Sequence, residues 1–210
     1  MSGNTQKKKG LLLVLSGPAG SGKGTVVKEI LARYADDFCL SVSATTRAPR
    51  PGEEHGVHYY FIDKPAFEER IAGGGMLEHA EYCGNYYGTP ADYVEAKLQE
   101  GKNVILEIEV QGALKVKERF PDTLLIMITP PNFSTLEARL RGRGTNTEDD
   151  IQNRLATSRW ELSNLDRYDY AVVNEDGRAD AAADEIAAIV ASEKKRTCRN
   201  KDFAKFFFEN

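Results

Sequence analysis

Leu11-Leu12-Leu13-Val14-Leu15-Ser16-Gly17-Pro18-Ala19-Gly20-Ser21-Gly22-Lys23-Gly24-Thr25 joins an apolar run to a glycine-rich loop, and this junction decides the fold. The apolar residues 11–15 read as a buried strand. Glycines at 17, 20 and 22 let the backbone take conformations that other residues resist, so successive N–H groups can turn inward around phosphate oxygens. Lys23 adds a mobile cation. Val26, Val27, Ile30 and Leu31 follow at helical spacing, so the loop opens a helix whose positive end faces the anion. The stretch matches G-x-x-x-x-G-K-[ST] except at its last position: Gly24 replaces the hydroxyl that would help to hold magnesium, and Thr25 comes one residue late. The spacing predicts a nucleotide phosphate site over residues 17–25, against the alternative of a glycine-rich turn without chemistry.

Further along, strand-like runs at 103–110, 124–129 and 170–173 alternate with helical patterns beginning near Thr25, Pro90, Gln111, Asn132 and Arg178. That alternation predicts an α/β fold with a central parallel sheet covered by helices. Ligands in such sheets sit at the carboxyl ends of strands, where the glycine loop, Glu107 and Glu109 would converge. The character changes between Ser43 and Thr89, with a basic, proline-punctuated segment, aromatics at Tyr59-Tyr60-Phe61, a short helix over 65–72 and then the stretch 77–82. The reading is an inserted lobe at 43–92 and a core of 10–42, 93–138 and 169–195. Arg141-Gly142-Arg143-Gly144 bends the chain into a lid and following helix at 139–168, which a capping box of Thr147 and Asp150 opens. Residues 196–210 form a loosely ordered, phenylalanine-rich tail.

The chain has 210 residues and a formal charge of −4, which argues against a general nucleic-acid binder and makes arginine clusters local sites for small anions. Cys39, Cys83 and Cys198 lack metal-type spacing and suggest reduced thiols in a cytoplasmic protein. No apolar stretch approaches the length of a membrane span, and the lysines at 7–9 precede too short an apolar core for a secretory signal. His55, His58 and His79 form no metal-ligand pattern and read as surface or packing residues. Trp160, with Leu155, Leu162 and Leu165, reads as core. Asp180, Asp184 and Glu185 early in the last helix, with Lys194 and Lys195 late, complement its dipole.

Ser43-Ala44-Thr45-Thr46-Arg47-Ala48-Pro49-Arg50 places two guanidinium groups on a stiffened segment suited to gripping a phosphate from two sides. Tyr59 and the glycine-flanked turn Gly84-Asn85-Tyr86-Tyr87-Gly88-Thr89 add hydroxyl donors, and the convergence favours an anion site over solvated arginines.

Taken together, residues 17–23, Ser43-Ala44-Thr45-Thr46-Arg47-Ala48-Pro49-Arg50-Pro51-Gly52-Glu53, residues 84–88, Gln111-Gly112 and Arg141-Gly142-Arg143-Gly144 resemble the guanylate kinase family, within the P-loop nucleoside monophosphate kinases. The resemblance runs from about Leu11 to Glu193. It implies a three-layer P-loop fold with a GMP-binding lobe and a lid, transferring the γ-phosphoryl group of ATP to GMP or dGMP with Mg2+. It also implies that ATP lies on Gly17, Pro18, Ala19, Gly20, Ser21, Gly22, Lys23, Gly24 and Thr25, with Arg143 and Arg154 on its phosphates and Asn174 near the adenine, the alternative for Asn174 being a plain turn residue. Arg47, Arg50, Tyr59 and Tyr87 would hold the GMP phosphate, Glu78 would face the guanine, and Ser43 and Thr89 would add hydroxyl contacts.

Guanine presents two neighbouring N–H donors that one carboxylate accepts together, whereas adenine has no N1 hydrogen. Lys23, Arg47, Arg50, Arg143 and Arg154 would supply the positive charge for transfer. Arg139 and Arg141 receive no assignment. The chain departs from the family at Gly24, which leaves no assigned protein ligand for magnesium, and at Glu109, one methylene longer than the expected aspartate of a pair with Glu107 that contacts the base or a nearby arginine. A non-catalytic interaction module of the same fold and a kinase for another monophosphate remain as alternatives. The intact Gly22-Lys23 counts against the first, and Ser43 with Glu78 against the second.

Overall fold

The computed structural model describes residues 9–82, 84–142, 147–201, 204, 207 and 208. The chain runs β1 (Leu12–Ser16), α1 (Lys23–Arg33), β2 (Phe38–Leu40), β3 (Ala44–Thr45), β4 (Tyr60–Phe61), α2 (Lys64–Ala72), β5 (Met76–Tyr82), β6 (Asn85–Pro90), α3 (Ala91–Gln99), β7 (Asn103–Glu107), α4 (Val110–Arg119), β8 (Leu124–Thr129), α5 (Phe133–Gly142), α6 (Glu148–Leu162), β9 (Tyr170–Val173) and α7 (Ala179–Glu193).

The larger sheet is parallel, in the order β2-β7-β1-β8-β9. Side chains alternate across it and divide the core in two. Leu13, Leu15, Ile105, Ile126 and Ile128 pack with Val26 and Ile30 of α1 and Ile186 and Val190 of α7. Val14, Val104, Leu106, Leu125 and Met127 pack on the other face with Val94 and Leu98 of α3 and Ala113 and Val116 of α4. Burial on both faces explains why these strands read as continuous apolar runs. A fully buried leucine or isoleucine contributes about 1.5–3 kcal/mol. Leu15 lies beside Glu107 in the β1–β7 register, which brings the glycine loop and the Glu107 turn to one rim.

The second sheet has the order β4-β3-β6-β5. β3 pairs parallel to β4 and antiparallel to β6, and β5 pairs antiparallel to β6. Its small core is Ala44, Phe67 and Met76, covered by α2, whose first turn is fixed by the Asp63 carboxylate accepting from the Ala66 N–H at 2.8 Å. The β5–β6 register shifts between Met76 and His79, after which His79 faces Gly88.

Several expectations change. β7 ends at Glu107 and not at 110: Glu109 occupies the N-cap of α4, and Val110 starts that helix as a buried residue. β2 is a three-residue edge strand that the apolar pattern does not mark. Trp160 and Leu165 are 45% and 38% exposed, not core, while Leu155 is buried and Leu162 partly so. The reason is angular. Leu162 lies two turns after Leu155 on one face of α6, Trp160 points about 140° away from Leu155, and Leu165 falls beyond the helix in a 3-10 turn.

The capping box of Thr147 and Asp150 is present. His58 and His55 accept backbone N–H groups of Glu54 and Phe61 through Nδ1. Asp184 takes a fork from Arg33, with contacts of 2.7 and 2.8 Å to one guanidinium nitrogen, and the Tyr34 hydroxyl at 2.6 Å, tying α7 to α1. Cys39 and Cys198 are free thiols, and Cys83 lies outside the described residues. The tail begins docked: Arg199 donates to Glu193 at 3.2 Å and to the Asp122 carbonyl at 3.1 Å. Phe207 and Phe208 are exposed, and Phe203 and Phe206 lie outside the described residues. Among the described residues no helix is long and apolar enough to cross a membrane.

Candidate functional site

The glycine loop follows a strand buried at every position. Gly17 sits so close to β8 that a Cβ there would lie 2.1 Å from the Ile128 carbonyl oxygen. Gly22 has φ of +83°, and a Cβ on it would meet the Asn174 Nδ2 at 2.3 Å. The Ser21 N–H donates to the Pro18 carbonyl at 3.0 Å and closes the loop, and Gly22 caps α1 without a side-chain bond. Early N–H groups of a helix have no intrahelical partner and carry its positive end, so this backbone suits anions.

A cavity of about 360 Å³ opens here, lined by Ala19, Gly20, Gly22, Lys23, Gly24 and Thr25, together with Lys28 and Glu107. Lys23 folds across the loop and donates to the carbonyls of Gly17 and Pro18. The predicted loop residues and Glu107 are therefore brought together. Ser16, at the end of β1, bonds the Tyr168 hydroxyl.

Asn174 is buried behind the loop and donates its amide to the Ser21 carbonyl at 2.8 Å, while its Oδ1 has no hydrogen-bond partner among the described residues. Arg139, unassigned from sequence, braces the same corner. It donates to the Asn174 carbonyl at 2.8 Å, to Asp176 at 2.6 Å, and to the Gly20 and Ser21 carbonyls at 3.4 Å. Arg154 is exposed on α6, and Arg143 lies outside the described residues. Arg141 pairs with Glu137 and Glu148, which links the end of α5 to the start of α6 and pulls the Glu148 carboxyl down to about 2.

The second cluster is built on the smaller sheet. Arg47 lies 5.6 Å from the Tyr59 ring centre and pairs with Glu53 at 2.9 Å. The Tyr59 and Tyr87 rings meet edge to face at 6.1 Å. Glu53 also accepts the Arg50 backbone N–H at 2.7 Å, the first cause holding its carboxyl below the usual range; burial opposes this, and Arg47 reinforces it. The Arg50 side chain is exposed. Thr89 donates its hydroxyl to Glu78 at 2.8 Å, and burial pushes the Glu78 carboxyl up, opposed by that bond, by the Lys115 charge and by the Thr89 N–H. Ser43, partly buried, accepts the Tyr60 N–H on its carbonyl at 2.8 Å.

Sequence reading overlooks three residues beside these clusters. Glu53 stands in a quoted motif, and its opposite charge to Arg47 and Arg50 is a usable signal. Arg139 binds Asn174, which is 35 positions away, and no local spacing reveals that. Glu161 is 7% exposed, and its carboxyl is pushed up by burial, opposed by the Lys23 charge and supported by Glu109.

Comparison with known proteins agrees with this geometry. Residues 9–193 match the family model described as guanylate kinase. A guanylate kinase of Bacillus cereus is 50% identical over 97% of both chains. That of Bacillus subtilis (strain 168) is 51% identical over 89% of this chain and 91% of its own. The crystal structure of guanylate kinase from Anaplasma phagocytophilum superposes with a TM-score of 0.68 at 36% identity, covering 92% of this chain and 90% of that one. A glycine loop under a parallel sheet, an arginine and tyrosine cluster on a second sheet, and half-identity across nearly the full length lead to one conclusion: the chain belongs to the guanylate kinase family.

Proposed function

We propose that this chain moves the γ-phosphoryl group of ATP onto GMP, giving ADP and GDP, by direct transfer with no covalent enzyme intermediate. The observation that carries the reading is the pairing of two anion-suited clusters of different design: the Lys23 cavity at the parallel sheet, and Arg47 with Tyr59 and Tyr87 on the smaller sheet. Phosphoryl transfer asks the protein for positioning and positive charge, because most of the covalent change belongs to the nucleotides.

In this reading residues 17–25 wrap the ATP phosphates with backbone N–H groups, Lys23 leaves the Gly17 and Pro18 carbonyls for them, and Arg143 and Arg154 close from the lid. Asn174 keeps a buried acceptor, Oδ1, for the adenine amino group. Arg47, Arg50, Tyr59 and Tyr87 hold the GMP phosphate, while Glu78, oriented by Thr89, accepts the two guanine N–H donors alongside Ser43. Glu107 ends β7 and lines the cavity of the glycine loop, Glu109 caps α4 two residues later, and this reading assigns both to GMP.

The oxygen donors Thr25 and Glu107 share the cavity with the loop and suit a hydrated Mg2+, held mainly by the ATP phosphates and water. When bound, that ion offsets charge on the phosphates. The enzyme works as a cytoplasmic protein on these two small molecules, without nucleic acid or membrane.

The test is a panel. Purified protein with ATP and each of GMP, dGMP, AMP, CMP and UMP should form ADP with the guanine nucleotides alone. Activity with AMP, CMP or UMP in place of GMP would reassign the acceptor, and turnover with none would leave an interaction module. Lys23→Ala should lower kcat by at least about a hundredfold with the fold intact by circular dichroism, the scale of losing a preorganised charge donor.

A further inference from the structure

The start of β5 belongs to two cores at once. Met76 packs in the small core of the second sheet, whereas Leu77, the next residue, is buried with Val94, Leu106 and Val110 against the parallel sheet. Here too the β5–β6 register shifts, between Met76 and His79. A bulge disrupts the ladder and re-aims the side chains beside it, and carbonyls displaced from the ladder need another donor. Arg119, at the end of α4, supplies one. A single guanidinium nitrogen, Nη1, donates to the Met76 carbonyl at 2.9 Å and to the Leu77 carbonyl at 3.0 Å.

In a regular strand consecutive carbonyls point to opposite sides, so one nitrogen that reaches both marks backbone that has left the pleat. The guanidinium in turn lies 5.6 Å from the centre of the Phe120 ring, and Phe120 packs on the same core as Leu77. Four residues earlier on α4, and so on the same face, stands Lys115. Burial pushes the Glu78 carboxyl up, and after the Thr89 bond it is the Lys115 charge that opposes this. The face of α4 that carries these two cations therefore looks toward the stretch around Glu78.

We propose that Arg119 is a positioning residue for Glu78: by fixing two successive carbonyls of the bulge to α4, it sets the direction in which the following carboxylate is aimed. The Leu77 carbonyl belongs to the peptide unit that joins Leu77 to Glu78, so its orientation turns the backbone from which the Glu78 side chain springs. Beyond the shift His79 stands opposite Gly88, and Thr89 meets the Glu78 carboxylate at 2.8 Å. Glu78 is thus held from two sides, its carboxylate by Thr89 and its backbone by Arg119. The charge-assisted bonds also tie the smaller sheet to a helix packed on the parallel sheet. The inference deepens the GMP reading and rests on Glu78 facing the guanine.

Arg119 is exposed, so Arg119→Met should fold while losing both bonds. In nucleotide-free protein, amide hydrogen exchange over residues 76–79 should accelerate about tenfold, with the β1–β7 ladder unchanged. In turnover, KM for GMP should rise about fivefold with KM for ATP within about twofold, and Arg119→Lys, which keeps a donor, should recover part of the loss. Inosine monophosphate offers the N1 hydrogen of guanine but no 2-amino group, so the preference for GMP over it, read as a kcat/KM ratio, should fall too. In a Glu78→Ala background Arg119→Met should change KM for GMP no further. Unchanged exchange over 76–79, an unchanged KM for GMP, an equal rise in KM for ATP, or an undiminished effect in the Glu78→Ala background would overturn the proposal. Should Arg119→Met not fold, Arg119→Gln, too short to span both carbonyls, carries the same expectations. Equal weakening of GMP and ATP by Glu78→Ala would remove the guanine assignment, whereas exchange read without nucleotide tests the hold of Arg119 on β5 by itself.

Discussion

Around the phosphate loop the groups offered to an anion are, Lys23 apart, those of the backbone; on the smaller sheet they are side chains. The loop takes its shape from Gly17 against the Ile128 carbonyl, Gly22 at positive φ, and Asn174 and Arg139 holding the carbonyls of Gly20 and Ser21 from behind. The smaller sheet instead presents Arg47, Tyr59, Tyr87, Glu78 and Thr89 over a core of three buried residues. A backbone site is bound to the packing of the whole domain. A side-chain site can be retuned one residue at a time, which suits the base-discriminating role proposed for it.

Four substitutions or titrations would break or sharpen this contrast. Gly22→Ala should be the most damaging, because the new methyl meets Asn174 and the backbone is strained for any L-residue. We expect kcat/KM for ATP to fall by about a hundredfold or more, together with about 1–3 kcal/mol of stability. Near-normal turnover and an unchanged melting temperature would show that the loop tolerates side chains after all.

Glu78→Ala should raise KM for GMP about a hundredfold, about 2.7 kcal/mol, and leave KM for ATP within about twofold. Equal effects on both nucleotides would remove Glu78 from the guanine pocket. Its pH behaviour carries two opposite signs. In the folded protein the carboxyl keeps its proton to a higher pH than in the unfolded chain, so stability without ligand declines as pH rises from the ordinary glutamate value through the raised one. GMP needs the ionised form, so kcat/KM for GMP should rise over the same interval. Glu78→Gln should flatten both slopes, which melting curves and pH–rate profiles would read directly.

Glu53→Gln should act on GMP through Arg47, raising KM for GMP about tenfold while kcat changes less. An equal change in KM for ATP would mean that the lobe as a whole had shifted. The smallest effect belongs to Glu148. Its carboxyl titrates near 2 in the folded protein and near 4.5 in the free chain, held down first by Arg141 and then by Gln152. Its contribution is complete above about pH 4.5 and is lost as pH falls toward about 2. Thermal unfolding of Arg141→Ala should therefore differ from wild type at neutral pH and converge with it at pH 2–3.

How much of this is legible depends on distance along the chain. The strands at Leu124–Thr129 and Tyr170–Val173 and the loop after β1 are local patterns, and they stand in the sequence as they stand in the structure. β2 is a three-residue edge strand, too short to carry a period. Trp160 misleads because near-helical spacing is not a shared face: five residues turn the helix well past the core. At the site, the glycines, the arginine-bearing segment and the Tyr87 turn are visible as motifs. The supports are not. Asn174 reaches Ser21 across 153 positions, and Arg139 reaches Asn174 across 35. Such contacts are products of topology and leave no trace in local spacing.

The irregular pairing of β5 with β6 sets a limit on how this pocket can change. Glu78 meets Thr89 because His79 faces Gly88, and at Gly88 a Cβ would come within 2.7 Å of the Glu78 carbonyl, so the two chains lie unusually close there. Slipping the pairing by one position would turn Glu78 to the opposite side of the ribbon and bring a neighbour of contrary polarity inward. On the proposed assignment of Glu78 to guanine, base preference would depend on strand length as well as on side-chain identity: exchanging residues would redirect it, whereas a single inserted or deleted position in β5 would erase it.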